Sequence, residues 1–148
     1  MKLVRPLLMV LSLTLLAACS SLVLKPADFG WPIESVLKVD NKGYVEEQRY
    51  SFTLKVKPIF FEEFADSSTA SGKEIRIIRD KLGYFYLTAA NFKNVYMFVP
   101  VAGGLKLDDK FLVNEKGLAA PAFNQKSPNI ELLDGTDKYL LNNKGLVR

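Results

Sequence analysis

The chain of 148 residues contains no histidine and a single cysteine, Cys19. Without an imidazole group, histidine general-base catalysis and the Ser-His-Asp and Cys-His arrangements are excluded. Because one cysteine has no partner within the chain, an intramolecular disulfide is excluded as well. Apolar burial and backbone hydrogen bonds must therefore stabilise the fold. An enzyme of this sequence would depend on carboxylates, lysine or tyrosine.

The N-terminal segment has the organisation of a secretory signal. Lys2 and Arg5 give it a basic start, and an apolar run follows over residues 7–16. This run is shorter than the roughly 20 apolar residues that a helix needs to cross a bilayer. The pattern predicts an export signal rather than a transmembrane span.

The apolar run ends in Leu16-Ala17-Ala18-Cys19, and the only cysteine of the chain occupies the last position. This tetrapeptide resembles the lipobox of bacterial lipoprotein precursors. The resemblance implies transfer of a diacylglyceryl group to the Cys19 thiol and cleavage between Ala18 and Cys19. An ordinary signal peptide with a chance cysteine and an uncleaved anchor helix are the alternatives.

Cleavage would divide the chain into a signal peptide (1–18), a lipidated tether (19–30) and a folded domain (31–148). The remaining 130 residues suffice for one domain with its own core. Loss of the two N-terminal cations lowers the formal net charge from +4 to +2, so nucleic acid is not indicated as a partner. Because lipidation would occupy the one thiol, common zinc sites are excluded, and no metal or cofactor is predicted.

Ser20 follows the cysteine. In lipoproteins of the enteric type, an aspartate at this position retains the protein in the inner membrane, so the resemblance with serine implies the outer membrane. Two or three acyl chains would hold the protein stably, because each buried CH2 contributes about 0.8 kcal/mol. The prediction is a protein attached to the bacterial cell envelope by lipid on Cys19.

Alternating apolar and polar residues predict an all-β domain. In the clearest example, residues 50–56, every second side chain is apolar, which is typical of an antiparallel strand with one buried face. About eight strands and no helix are expected, arranged as a small antiparallel β-sandwich or, alternatively, a small β-barrel. The segment from Ile77 to Leu87 is similar to the strand-turn-strand of transthyretin-like and carboxypeptidase-regulatory domains. That similarity implies a sandwich and no functional residue.

Two further features concern local structure. Residues 44–56 are expected to form one long strand, and residues 119–129 a loop interrupted by Pro121 and Pro128. Residues 109–118 recur as 137–146 with seven of ten positions identical. Each copy leads into an Asn-x-Lys-Gly turn, so the repeat predicts two equivalent hairpins at one end of the sandwich.

An aromatic group is the first candidate site. Its rings could stack on a sugar or anchor a protein partner. The alternative is packing in the core, because Tyr84 and Tyr86 share one face of a strand while Phe85 and Leu87 share the other. The members of the group are Trp31, Tyr84, Tyr86, Phe92 and Tyr96.

Two acidic groups and one apolar segment are the other candidates. Paired carboxylates in Glu62, Glu63 and Asp66, or in residues 134–137, could support glycoside hydrolysis or calcium binding. A solvated loop and a tight turn, respectively, are the alternatives. Residues 60–64 (Phe-Phe-Glu-Glu-Phe) could form an apolar lip that meets a membrane or a partner, or the end of a strand packed in the core.

These features lead to one main hypothesis and two competing ones. The main hypothesis is a non-enzymatic lipoprotein that serves the cell envelope as a structural or protein-binding accessory with an envelope protein as partner. A module that binds carbohydrate or a hydrophobic molecule is the alternative. A carboxylate-based hydrolase is the third, and it requires two acidic side chains that converge in a cleft. A solvent-open groove lined by aromatic side chains would favour the ligand-binding module.

Overall fold

The computed structural model describes residues 34–147. The predicted signal peptide, the cleavage site at Ala18 and Cys19, the tether and Trp31 lie outside these residues. The described part of the chain contains eleven strands, one α-helix and one short 3-10 helix. The elements are β1 (Ser35–Lys38), β2 (Tyr44–Glu47), β3 (Phe52–Lys55), α1 (Lys57–Phe64), the 3-10 helix (Ser68–Ala70), β4 (Glu74–Arg79), β5 (Phe85–Ala89), β6 (Asn94–Val101), β7 (Gly104–Leu112), β8 (Pro121–Lys126), β9 (Asn129–Asp134), β10 (Asp137–Asn142) and β11 (Gly145–Leu146).

The strands form two larger antiparallel sheets and a hairpin. A central sheet has the order β1-β4-β5-β6-β7, a second sheet has the order β11-β10-β9-β8, and β2 pairs with β3 alone. None of the three closes into a barrel. The prediction of an all-β antiparallel sandwich is therefore confirmed, and the barrel alternative is not what forms.

Side-chain alternation along the central sheet creates two separate cores. Leu87 and Tyr96 point to one face, where they pack with residues of the β2–β3 hairpin and α1. Tyr86 and Met97 point to the other face and pack against the second sheet. We call these the hairpin-side core and the sheet-side core. The central strands are nearly continuous in apolar residues because both of their faces are covered.

The segment expected to be one long strand is two strands joined by a turn. The turn occupies residues 48–51, and Ser51 has a φ of 55°. The Glu47 carboxylate accepts the backbone N–H of Arg49 at 3.0 Å, which stabilises the turn. The predicted alternation over residues 50–56 is present, but it does not reveal where the chain reverses. This difference matters because the reversal brings Tyr50 and Phe52 over the central sheet.

The prediction that the domain lacks a helix is wrong, because α1 covers residues 57–64. A strand end, the alternative to an apolar lip at residues 60–64, is therefore wrong as well. Pro58 lies in the first turn of α1, where its missing N–H is not needed. Ala65 ends the helix in the left-handed conformation, and its N–H bonds to the Phe61 carbonyl at 2.7 Å. Phe60 packs on Phe92 with 5.0 Å between ring centroids. An eight-residue helix is too short to show a clear period of 3.6 in the sequence.

The loop predicted over residues 119–129 contains β8. Pro121 is tolerated because it is the first residue of that strand, while Pro128 lies in the connection to β9. The prediction fails because prolines at the ends of a strand resemble those of a loop.

The two copies of the repeat share a turn but not a hairpin. Asn114 and Asn142 each accept the backbone N–H of the lysine two residues on, at 3.0 and 2.8 Å. Only the second copy closes a hairpin, between β10 and β11. At the end of the first copy, Leu118 instead donates its N–H to the Phe92 carbonyl at 2.8 Å. The expected equivalence therefore holds for the turn alone, because tertiary contacts decide where the chain goes next.

Candidate functional site

The aromatic residues predicted as a contact site contribute mainly to the two cores. Tyr86 and Tyr96 are 0% exposed, and Tyr84 is half-buried against the sheet-side core. The Tyr86 hydroxyl lies 3.1 Å from an oxygen of Asp80, and the Tyr96 hydroxyl 2.8 Å from an oxygen of Glu63. Burial, with the nearby carboxylates, raises the pKa of both phenols well above the usual value. These observations favour the packing alternative for Tyr86 and Tyr96.

The carboxylates of Glu62, Glu63 and Asp66 have separate partners rather than a common cleft. Glu63 accepts hydrogen bonds from Lys93 N (2.9 Å), Asn94 Nδ2 (2.7 Å) and the Tyr96 hydroxyl. It thereby fastens α1 to the start of β6. Glu62 pairs with Lys110 near the surface.

Asp66 lies just after α1 and receives the N–H and the hydroxyl of Ser68 at 2.8 and 2.9 Å. These bonds lower the pKa of the Asp66 carboxyl. Within residues 34–147, no cluster of three or more acidic or cysteine side chains has the arrangement of a metal site.

Residues 134–137 form a tight turn. Asp134 and Asp137 are paired across the β9–β10 hairpin, which leaves a two-residue loop with Gly135 at a φ of 61°. The Asp134 carboxylate accepts the backbone N–H of Ala120 at 2.7 Å. The turn interpretation accounts for these side chains.

A groove that the sequence does not predict lies between the β2–β3 hairpin and the β6–β7 end of the central sheet. It consists of two adjoining cavities of about 550 and 430 Å³. We call it the hairpin groove. Four residues line both cavities: Thr53, Gly103, Gly104 and Leu105. The larger cavity is completed by Tyr50, Ser51, Phe52, Arg79, Phe85, Pro100 and Val101.

Three aromatic rings form one wall of the larger cavity. Tyr50 and Phe85 meet edge to face, with centroids 5.1 Å apart and planes at 89°. Phe52 meets Phe85 in the same manner at 5.5 Å and 79°. Edge-to-face pairs of this kind hold rings in fixed orientations. The wall is therefore formed before any ligand arrives.

Arg79, the last residue of β4, places a guanidinium group in the same cavity. Its Cζ atom lies 5.7 Å from the centroid of the Tyr50 ring and 5.5 Å from that of Phe85, within the range of cation–π attraction. No hydrogen bond or ion pair joins this side chain to another within residues 34–147, and its Nε atom is buried without an acceptor. Gly83 lies beside the group, since a Cβ there would be in ordinary van der Waals contact with Nη2, at 3.4 Å.

The second cavity is more apolar. It is lined by side chains of β3, α1 and the β6–β7 hairpin, including Leu54, Ile59, Phe98 and Leu107. Glu62 lies at its edge and is already paired with Lys110. The groove thus has an aromatic end that contains Arg79 and a more apolar end whose charged residues are Lys55 and Glu62.

Sequence reasoning missed this site for a definite reason. Tyr50 and Phe52 belong to an alternating pattern that any half-buried strand shows, and Arg79 stands at the end of another strand. The unpredicted turn at residues 48–51 is what brings them together. No pattern in the local sequence indicates that Tyr50 and Phe52 lie close to Arg79.

In comparisons with other proteins, no family model, curated protein or solved structure matches the chain. Within residues 34–147, no helix has both the length and the apolar character required to cross a membrane.

Proposed function

We propose that this chain is a lipid-anchored binding protein of the bacterial cell envelope with no catalytic activity of its own. The tetrapeptide Leu16-Ala17-Ala18-Cys19 after an export signal supports attachment through lipid on Cys19. Ser20 supports a location at the outer membrane.

The hairpin groove is the observation that carries the binding role. Small-molecule sites are typically concave, largely pre-formed and mostly apolar, with a few polar groups that orient the ligand, and they enclose about 300–1,000 Å³. Both cavities, of about 550 and 430 Å³, fall within this range. The rings of Tyr50, Phe52 and Phe85 and the cation of Arg79 supply the combination of apolar wall and polar group. The open, aromatic-lined groove favours a module for a hydrophobic ligand over a purely structural accessory.

The partners of the acidic side chains support a non-catalytic role. Glu63 attaches α1 to β6 by hydrogen bonds, and Asp134 accepts a hydrogen bond from the backbone N–H of Ala120. A hydrolase that uses two carboxylates needs both side chains free to reach one glycosidic bond. Groups that already accept structural hydrogen bonds are poorly suited to that task.

A protein-binding accessory is the second candidate. Phe61 on the outer side of α1 is 60% exposed, and Leu82 in the β4–β5 turn is 74% exposed. Exposed large apolar side chains can serve as anchors for a protein partner. An envelope protein would be the partner in this case.

The anchoring is tested by comparing the wild-type protein with Cys19→Ala. We expect the wild-type protein in the membrane fraction, with an N-terminal peptide whose mass includes the acyl chains on Cys19. The variant should lose the lipid and remain an uncleaved precursor. Ser20→Asp is the matched control, because it keeps the lipid and should move the protein from the outer to the inner membrane. An unmodified, water-soluble wild-type protein would refute the anchoring.

Purification of the lipidated protein from membranes then separates the two candidates. Organic extraction of the purified protein followed by mass spectrometry should yield a bound small molecule if the groove is a ligand site. Co-purification of an envelope protein with no extractable ligand would favour the accessory role. The Cys19→Ala variant shows whether either association depends on anchoring.

A further inference from the structure

The charge in the hairpin groove restricts the chemistry of its ligand. Arg79 is the one charged residue among those that line the larger cavity. Arg49, whose Cζ lies 5.8 Å from the same Tyr50 ring, is already partnered: it pairs with Glu47 and donates to Ser35. Arg79 has no such partner within the described residues, although its Nε is buried. A guanidinium group partly withdrawn from water without a counter-charge is costly, and an anion would relieve that cost.

The neighbouring carboxylate is not available to Arg79. Asp80 follows it in the chain, but its two oxygens accept the N–H groups of Leu82 and Tyr84 at 2.9 Å and the hydroxyl of Tyr86 at 3.1 Å. Tyr86 belongs to the sheet-side core, on the opposite face of the central sheet. No ion pair joins Arg79 to a carboxylate within the described residues, so a ligand can supply the missing counter-charge.

The lining of the second cavity indicates that the ligand also has an apolar part. It continues from the larger cavity through the shared residues Thr53 and Leu105 and is lined by Leu54, Ile59 and Leu107. An aliphatic chain that runs along these residues would be removed from water. Two charged residues, Lys55 and Glu62, also line this cavity, but both are exposed to solvent. The partly buried cation at one end and the mainly apolar wall at the other match a molecule with an anionic head and an apolar tail.

We propose that the hairpin groove binds an anionic amphiphile, an inference that rests on the proposed binding function. The carboxylate or phosphate head of the ligand lies at Arg79, and its aliphatic tail lies in the second cavity. Arginine suits such heads because its planar group donates several parallel hydrogen bonds to carboxylate or phosphate oxygens. The rings of Tyr50 and Phe85 orient the guanidinium group by contact with it. The tail determines affinity and the head determines selectivity.

The test is titration calorimetry at pH 7.4 on the lipidated protein in phospholipid nanodiscs, with empty nanodiscs subtracted. Three ligands of equal chain length are compared: octanoate, octyl phosphate and 1-octanol. We expect at least one of the two anions to bind about tenfold or more tighter than the alcohol, as charge-assisted hydrogen bonds allow. The stronger of the two anions identifies the head group. Lengthening the tail from butanoate to octanoate should raise affinity about fourfold per methylene.

Arg79→Gln should remove the preference for the anions over 1-octanol. Lys81→Gln is the matched control, since it removes one exposed positive charge two residues away and should keep the preference. Arg79→Lys retains the charge without the planar geometry and should keep part of the preference for the anions. The comparison of anion with alcohol in the wild-type protein requires no variant, so it stands even if Arg79→Gln fails to fold.

Two outcomes would overturn the inference, and they differ in meaning. Equal affinity for the anions and the alcohol, unaffected by Arg79→Gln, would refute the anionic head but leave the groove as a site for neutral ligands. Absence of any binding above empty nanodiscs would refute the amphiphile. In that case, an envelope protein co-purified with the lipidated protein would still support a binding role.

Discussion

The two cores lie on opposite faces of one central sheet but differ in how completely they are covered. On the sheet side, four strands cover residues such as Tyr86 and Met97, and the core includes the fully buried Leu132. On the hairpin side, the cover is a two-stranded hairpin and an eight-residue helix. Tyr50 and Phe52 are only partly buried there, and cavities of about 550 and 430 Å³ remain.

Buried polar atoms without partners occur on both sides of the central sheet. Within residues 34–147, three side-chain atoms are buried without a hydrogen bond, and the hairpin side contains two of them, on Glu47 and Arg79. The third belongs to Gln125 of β8. Burying a polar atom without a hydrogen bond costs folding free energy, so each such atom calls for an explanation. The comparison teaches that the sheet-side core serves stability, whereas the incomplete cover on the hairpin side leaves room for a ligand.

The largest expected effect concerns packing. Leu132→Ala in the sheet-side core should lower the free energy of unfolding by about 3–4 kcal/mol, because a fully buried leucine loses its contacts and leaves a cavity. Leu54→Ala, at the edge of the hairpin groove, should cost about 1 kcal/mol, since this side chain is only partly buried. Urea denaturation of the purified variants measures both. Equal losses would contradict the contrast between the two cores.

The next effect concerns the attachment of α1, which forms part of the incomplete cover. Glu63→Gln removes the charge that accepts three hydrogen bonds and should cost about 2 kcal/mol in the free energy of unfolding. It should also weaken binding in the groove, because α1 lines the second cavity. Glu62→Gln is the control: its pair with Lys110 is about 40% exposed and should contribute less than about 0.5 kcal/mol. A Glu63→Gln protein as stable as the control would show that α1 is held mainly by its phenylalanines.

The sheet-side core could be predicted further from sequence than the groove. The nearly continuous apolar run of Asn94–Val101 indicates a strand covered on both faces, and the strand β6 has these bounds. The opposed faces of Tyr86 and Phe85 also followed from the period of two. The groove depends instead on the turn at residues 48–51 and on an eight-residue helix. The turn is fixed by contacts such as Glu47 with Arg49 and the helix by contacts such as Glu63 with Tyr96, which no hydrophobic pattern encodes.

The smallest effect concerns two tyrosines on opposite faces of the central sheet. Tyr86 lies in the sheet-side core and Tyr96 in the hairpin-side core, and burial raises the pKa of both phenols. The stability that they contribute is complete below a pH of about 10 and falls above it, since the unfolded chain then loses these protons while the folded chain retains them. Absorbance of tyrosinate during titration of the folded protein is the measurement.

We expect Tyr86→Phe and Tyr96→Phe to leave the absorbance change below a pH of about 11 unaltered, because neither phenol ionises in the folded protein at that pH. A decrease with Tyr96→Phe alone would mean that the hairpin side opens to water locally, which would sharpen the contrast between the cores. A decrease with Tyr86→Phe would contradict it, because the core expected to be closed would then admit solvent.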